Sequence, residues 1–158
     1  MDIFSPKRDH PMHHSGTFNG NALTMAAGIA SLKEIDDSLI SSANTLGDRL
    51  REGLQKIFHK TGIRGQVTGT GSLMNVHLST HDVRDMRTAR ANWDVSLPLR
   101  DLLNLALKNR GVYTPRRVMF CISSPMTAKE IDQTLTAFEE SLDQLKPIIR
   151  ENYPELLG

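Results

Sequence analysis

Residues 13–30 read HHSGTFNGNALTMAAGIA, a turn rich in glycine and asparagine that leads directly into a helix of small residues. Glycine and asparagine tolerate left-handed backbone angles, and glycine also lets another group come close to the backbone. Thr17 adds a hydroxyl inside this turn, where free N–H groups can gather around an anion. The residues alone therefore fit either a phosphate-binding turn or a simple helix-entry turn with Asn19 or Asn21 as the cap.

The composition favours a globular domain with small-molecule partners. The 158 residues suffice for one hydrophobic core, and 19 basic residues are balanced by 18 acidic ones, which favours neither nucleic acid nor a membrane surface as partner. No signal peptide opens the chain, and no apolar run approaches the ~20 residues that a membrane span needs. The single cysteine, Cys121, fits a reducing cytoplasm, and its apolar neighbours predict a buried, inert thiol.

Hydrophobic periodicity predicts two helices in the first part of the chain. Apolar residues recur at helical spacing over residues 22–35, among alanines and glycine that permit close packing. A second helix begins after Asp36-Asp37-Ser38 and carries an apolar stripe from Leu39 to Ile57, which indicates one buried face. Gly62 is expected to end it.

Two further helices are predicted in the second half. Pro98 suits the first turn of one helix, and Gly111 closes it. Thr127 and Glu130 have the spacing of a capping box, which opens the last helix. The residues beyond Pro147 are expected to fray.

Short runs of β-prone residues between these helices predict a small sheet. The first two strands are joined by the turn Gly69-Thr70-Gly71-Ser72 and are expected to form a hairpin. Residues 80–96 are polar and are predicted to be an irregular surface connection, and Pro115-Arg116-Arg117 is predicted to be an exposed loop. The predicted strands are residues 63–68, 73–78, 112–113 and 118–122. The fold class is therefore α+β, with helices packed on a small, mostly antiparallel sheet.

The segment His14-Ser15-Gly16-Thr17-Phe18-Asn19-Gly20-Asn21 closely resembles a signature of the class III aminotransferases, pyridoxal-phosphate enzymes of fold type I. Its residues are most similar to those of the glutamate-1-semialdehyde aminomutase branch. A second stretch, from Asn109 to Asp132, is also similar to the family. The resemblance implies an extended arm over 1–20, a connecting helix over 21–36, the family's C-terminal small domain over 37–147 and a tail over 148–158.

The resemblance also implies site residues. In the family, the threonine of the Gly-Thr-Phe stretch binds the cofactor phosphate held by the other subunit of the dimer; here that position is Thr17, flanked by Gly16 and Phe18. Transaminases commonly hold a substrate carboxylate with an arginine fork. Arg116 or Arg117 could face the mouth of such a site and contact a small amino donor or acceptor, and the alternative is that both are solvated loop charges.

Two departures from the family bear on activity. The lysine that carries the cofactor, and the aspartate that pairs with its ring nitrogen, lie upstream of the Gly-Thr-Phe motif in the family. Lys7 is the only lysine before that motif here, in a polar run without the apolar strand context that would lower its pKa. The sequence therefore predicts the C-terminal part of such an enzyme, with no catalytic residue and no activity alone; the alternative is a non-catalytic relic or interaction domain. In addition, Ala22 follows Asn21, where the family usually has proline.

The six histidines do not form a metal-binding motif. His10, His13 and His14 cluster near the turn, and the other three are scattered. No HExxH or CxxC pattern accompanies them. We therefore predict surface or turn histidines and no metal site.

Overall fold

The computed structural model of the chain describes residues 2–5, 7–12, 16–91 and 93–158. The predicted cluster at His13 and His14, and Ser15 of the turn motif, lie outside these residues. The chain divides into two compact units, Met1–Asp37 and Ser38–Gly158.

The first unit contains a 3-10 turn, Asp2–Phe4, and helix α1, Ala22–Glu34. Asn21 caps α1 because its side chain accepts a hydrogen bond from the Thr24 N–H at 3.1 Å. The predicted helix over 22–35 is confirmed to within one residue. None of its residues is buried.

The second unit packs two long helices against a sheet. Helix α2, Asp37–Thr61, carries the predicted apolar stripe and buries Leu50, Leu54 and Ile57. The last helix, α5, Ala128–Asn152, begins with the predicted capping box at Thr127. These faces meet in one apolar core, which they share with the inner face of the sheet.

The sheet has three antiparallel strands in the order β1-β2-β3. They are β1, Gly65–Thr70; β2, Leu73–Leu78; and β3, Met119–Cys121. The predicted hairpin is confirmed, and Gly69 and Gly71 at its turn have φ angles of +145° and +52°. Because side chains alternate along a strand, Met74, Val76 and Leu78 face the core, and the other β2 residues lie on the outer face.

The prediction of a strand at Val112-Tyr113 is wrong. The Val112 N–H donates to Leu107 O at 2.9 Å, so it closes the preceding helix instead of joining the sheet. The Tyr113 side chain is exposed. The described residues therefore contain three strands, where four were predicted.

The prediction of an irregular connection over 80–96 is wrong for its second half. Helix α3, Met86–Ala91, is followed by α4, Trp93–Asn109, so Pro98 lies inside a helix and not at its start. The Asp85 side chain accepts a hydrogen bond from the Thr88 N–H at 2.8 Å, which caps α3. Polar composition concealed this helix because α3 buries none of its residues.

Two further expectations fail for reasons of packing. The tail does not fray: α5 continues to Asn152, Leu156 is buried, and the Arg64 N–H donates to Leu156 O at 2.6 Å. Cys121 is exposed and not buried, because its neighbour Phe120 takes the inward position of the alternating strand β3.

Candidate functional site

The turn before α1 is exposed and closed by two backbone hydrogen bonds. The Asn19 N–H donates to Gly16 O at 3.0 Å, and the Asn21 N–H donates to Phe18 O at 3.2 Å. Gly20 has a φ of +71°, the left-handed conformation that favours glycine. Thr17 is exposed, and so is the ring of Phe18.

This turn fits a phosphate contact. Within the part of the chain that the structure describes, no hydrogen bond engages the N–H groups of Thr17 and Phe18, and the Thr17 hydroxyl is open to solvent. A Cβ at Gly16 would lie 2.9 Å from Asn19 Oδ1, so glycine leaves room for the Asn19 side chain to fold back over the turn. A hydroxyl and two N–H donors are the groups that bind an anion at a turn. No other described residue is assigned a contact with the cofactor.

The two candidate arginines occupy different environments although they are adjacent in sequence. Arg116 makes a bidentate ion pair with Asp101, with Nε–Oδ1 and Nη2–Oδ2 distances of 2.7 and 2.6 Å. Hydrogen bonding to Arg116 holds the pKa of the Asp101 carboxyl below its usual value. Arg116 is therefore committed to an internal partner.

Arg117 instead lines a pocket of about 210 Å³ in the second unit. The pocket lies against the outer face of the sheet, beneath the segment that leads into α3. Its lining is Thr68, Asn75, His77, Val83, Arg84, Asp85, Met86, Ala89, Arg100 and Arg117. The structure thus separates the two arginines that the sequence treats as one loop.

A tight turn positions Arg117 beside strand β2. Val118 has a φ of +53°, a strained angle for a β-branched residue, and is fully buried. Its N–H donates to Pro115 O at 2.8 Å, and its carbonyl accepts from the Val76 N–H at 3.1 Å. The first bond closes a turn with Arg116 and Arg117 at its centre, and the second joins Val118 to strand β2.

Sequence reasoning missed Asn104 of α4, whose side chain forms hydrogen bonds with the start of the loop that carries Arg116 and Arg117. Asn104 is buried, and its Nδ2 donates to Thr114 O, Thr114 Oγ1 and Pro115 O at 2.9, 2.6 and 3.0 Å. Arg100, one turn earlier on α4, is also buried. The available signal was that both polar residues lie beside the apolar stripe of this helix, at a spacing of four.

The positive charge of Arg100 acts on His77 within the pocket. His77 Nε2 lies 2.8 Å from Thr68 Oγ1. Burial lowers the pKa of the His77 imidazole, and the positive charge of Arg100 acts in the same direction. Burial also lowers the pKa of the Arg100 guanidinium; the charge of Asp101 opposes this shift, and the charges of Arg116 and Arg117 add to it. The imidazole is therefore favoured in its neutral form, which can accept or donate a hydrogen bond.

Among the residues that the structure describes, no group of three or more His, Cys, Asp or Glu side chains could hold a metal ion. The same residues contain no helix that is long and apolar enough to cross a membrane.

Comparison with known proteins places this geometry in a family. The family model described as aminotransferase class III matches residues 1–142. The beta-phenylalanine transaminase of Variovorax paradoxus is 38% identical over 138 residues, which cover 87% of this chain and 31% of that protein. The glutamate-1-semialdehyde 2,1-aminomutase of Alkaliphilus oremlandii is 38% identical over 151 residues, or 92% of this chain and 33% of the relative. The chain thus spans about a third of the length of these relatives.

Solved structures agree with this placement. The Variovorax paradoxus beta-phenylalanine aminotransferase superposes with a TM-score of 0.74 at 34% identity, over 93% of this chain and 34% of that one. A transaminase solved with pyridoxal phosphate bound gives a TM-score of 0.68 at 28% identity, over 95% of this chain and 33% of its own. The predicted α+β fold of a fold type I enzyme is confirmed.

Proposed function

The chain belongs to the class III aminotransferase family, and on that premise we propose that it forms the C-terminal part of a pyridoxal-phosphate-dependent aminotransferase or aminomutase. The observation that carries the proposal is the exposed turn from Gly16 to Asn21, which combines a hydroxyl with available N–H groups. A transaminase and an aminomutase are matched at the same 38% identity, so both reactions remain within the proposal. A reducing cytoplasm is the proposed compartment.

In this proposal, Thr17 binds the cofactor phosphate across the interface of a homodimer. Its hydroxyl and the neighbouring N–H groups donate hydrogen bonds to the phosphate oxygens, and Gly16 leaves room for the Asn19 side chain beside them. The exposed ring of Phe18 provides apolar surface beside the contact. When bound, pyridoxal phosphate supplies the electron sink for amino-group transfer. The turn contributes anchoring, and no catalytic residue is assigned to this chain.

Arg117 is the stronger of the two candidates for a substrate carboxylate. A guanidinium holds a carboxylate best through two parallel hydrogen bonds. Arg116 already makes both of these bonds to Asp101. We therefore assign Arg116 to the structure of the loop, and we propose Arg117 for a carboxylate of the small amino donor or acceptor because it lines the pocket.

The lysine that carries the cofactor is proposed to lie on polypeptide outside these 158 residues. Lys7 lies in an exposed polar run, without the apolar surroundings in which a lysine is activated for imine chemistry. The 158-residue chain mixed with pyridoxal phosphate is accordingly expected to show no transamination. Turnover accompanied by a borohydride-trapped adduct at a single lysine would contradict this part of the proposal.

The test of the phosphate contact is Thr17→Val in a complete enzyme that carries this segment. Valine keeps the shape of threonine and removes the hydroxyl. A hydrogen bond to a charged group contributes ~1.5–3 kcal/mol, so cofactor affinity should fall roughly 10- to 150-fold. Cofactor binding is followed by absorbance during a titration of the apoenzyme.

Thr24→Val is the matched control, because Thr24 is an exposed threonine of the same unit whose hydroxyl lies 3.4 Å from Asn21 Oδ1. It should leave cofactor affinity unchanged. In mixed dimers, the defect of Thr17→Val should occur in the site opposite the altered subunit. Unchanged affinity in Thr17→Val would show that the motif is only a helix-entry turn.

A further inference from the structure

The turn before α1 contains the one Asn-Gly pair of the sequence, Asn19-Gly20. The side-chain carboxamide of an asparagine can be attacked by the backbone nitrogen of the next residue, and glycine hinders this attack least because it has no side chain. Both residues are exposed, and Gly20 has a φ of +71°. A Cβ at Gly20 would meet nothing within 4 Å, so the space beside the reacting atoms is open.

The groups that would react are not committed to other contacts. The Asn19 side chain folds back over Gly16, where its Oδ1 would lie 2.9 Å from a Cβ at that position. Within the described residues, no hydrogen bond engages the Asn19 carboxamide or the Gly20 N–H. The carboxamide can therefore rotate towards the Gly20 nitrogen without losing a hydrogen bond to any of these residues.

The other asparagines of the described residues are held by their surroundings. Some have a side chain that is hydrogen-bonded to another residue: Asn21, Asn44, Asn104 and Asn152. The remaining two, Asn75 and Asn109, belong to strand β2 and to the end of helix α4. Side-chain hydrogen bonds and regular backbone structure both oppose the approach of the next nitrogen to the carboxamide. Asn19 differs from these asparagines because it has neither restraint.

We propose that Asn19 is a deamidation site, and that the product weakens the binding of an anion by the turn. The Gly20 nitrogen bonds to the side-chain carbonyl carbon of Asn19. The bond from that carbon to the amide nitrogen breaks, and the proton of the Gly20 N–H leaves, through solvent, with the departing ammonia. Water then opens the cyclic imide and gives aspartate or isoaspartate, so water is the only co-reactant.

Either product places a carboxylate in the turn that carries the N–H groups of Thr17 and Phe18. A negative charge at this point repels a phosphate. Isoaspartate also lengthens the main chain by an extra atom, which disturbs the turn bonds from Asn19 to Gly16 and from Asn21 to Phe18. The effect on anion binding rests on the proposed function, whereas the deamidation does not.

The deamidation is tested by incubating the 158-residue chain at neutral pH and digesting samples over time. Peptide mass spectrometry should show, at Asn19, the mass gain that accompanies replacement of an amide NH2 by OH. Fragment ions separate Asn19 from Asn21, which is followed by alanine in the same turn and is the internal control. Gly20→Ala should slow the reaction roughly tenfold or more, because a β-carbon hinders the attacking nitrogen and raises the barrier. Asn19→Gln should remove the mass gain at this position.

The effect on anion binding is tested with pyridoxal phosphate in a complete enzyme that carries this segment. Asn19→Asp reproduces the aspartate product and should lower cofactor affinity roughly fivefold or more, as expected for two like charges at a contact open to water. Asn19→Gln stays neutral and should lower the affinity less. Thr17→Val in the same titration shows whether the turn contacts the cofactor.

No mass gain at Asn19, an equal gain at Asn21, or an unchanged rate in Gly20→Ala would overturn the modification site. Unchanged affinity in Asn19→Asp, where Thr17→Val loses affinity, would overturn the effect of the charge. If neither variant changes the affinity, the proposed function and the charge effect fail together, and the mass spectra alone decide the deamidation. A gain confined to Asn19 and slowed by Gly20→Ala, with weaker cofactor binding in Asn19→Asp, supports both parts.

Discussion

Helix α1 of the first unit and helix α5 of the second differ in where their apolar side chains lie. Leu23 and Leu32 of α1 are 80% and 69% exposed, whereas Phe138 and Leu142 of α5 are both 0% exposed. Both helices have regular caps, so local sequence suffices to begin each of them. The difference teaches that the second unit derives its stability from its own core, while α1 relies on helix propensity and capping.

The largest test of this comparison is Phe138→Ala. The Phe138 ring packs edge to face on Phe58, with centroids 5.6 Å apart, and removing it leaves a cavity in the core. The free energy of unfolding should fall by ~3–5 kcal/mol. Leu23→Ala in α1 is the control and should change it by less than ~0.5 kcal/mol. Denaturant unfolding of the 158-residue chain measures both, and equal losses would show that the two units share one core.

A smaller change in the free energy of unfolding is expected when either of two glycines inside helices is replaced by alanine. A Cβ at Gly47 in α2 would lie 2.1 Å from the carbonyl oxygen of Gly71, so Gly47→Ala must push the helix from the hairpin. Overpacking of this kind costs ~1–3 kcal/mol. Gly28 in α1 has nothing within 4 Å of the same position, so Gly28→Ala should only gain helix propensity, about 1 kcal/mol.

Circular dichroism and denaturant unfolding distinguish these two outcomes. Gly28→Ala should raise the helical signal without moving the main unfolding transition, and Gly47→Ala should lower the midpoint of that transition. A stabilised Gly47→Ala chain would mean that α2 can move away from the hairpin at little cost.

The smallest effects on stability are expected from removing the two helix caps. Thr127→Ala removes the capping box of α5 and should lower the free energy of unfolding by about 1 kcal/mol. Asn21→Ala removes the cap of α1 and should speed amide exchange within α1 only. Hydrogen exchange followed by NMR measures the amide protection of both helices. Slower exchange in α1 than in α5 of the unaltered chain would contradict the comparison.

Acid provides an internal check of the α5 cap. Hydrogen bonds from Thr127 lower the pKa of the Glu130 carboxyl in the folded chain. A lowered carboxyl pKa contributes stability above the unfolded pKa, and that stability is lost as pH falls through the folded pKa. The difference between Thr127→Ala and the unaltered chain should therefore shrink in acid. A difference that is constant with pH would exclude Glu130 from the cap.

Much of the fold could be predicted because its signals are local. The apolar stripe of α2, the glycines of the hairpin turn and the capping box at Thr127 each lie within a few turns or residues of sequence. Helix α3 was missed because its surface position leaves no apolar periodicity to detect. The Val112 strand was wrongly predicted because its β-branched side chain does not reveal that its N–H closes α4.

The candidate residues were predicted only in part, since the pocket lining in the second unit is brought together by contacts between distant segments of that unit. Thr17 was identified from its turn and stays a proposal. Asn104 and Arg100 carried only a weak sign, polar residues beside an apolar stripe, and their burial depends on packing of α4 against the rest of the unit. Arg116 and Arg117 are adjacent residues of the same type, so the sequence did not predict that their environments differ.

The sequence by itself determined the family, the helical faces, the hairpin and the exposed turn at Thr17, because each depends on residues that are neighbours along the chain. Only the tertiary structure decided that Arg116 pairs with Asp101, that Arg117 lines a pocket, and that Leu156 enters the core. The physical reason is that ion pairs and burial depend on distances between segments, which the folded core sets after local structure has formed.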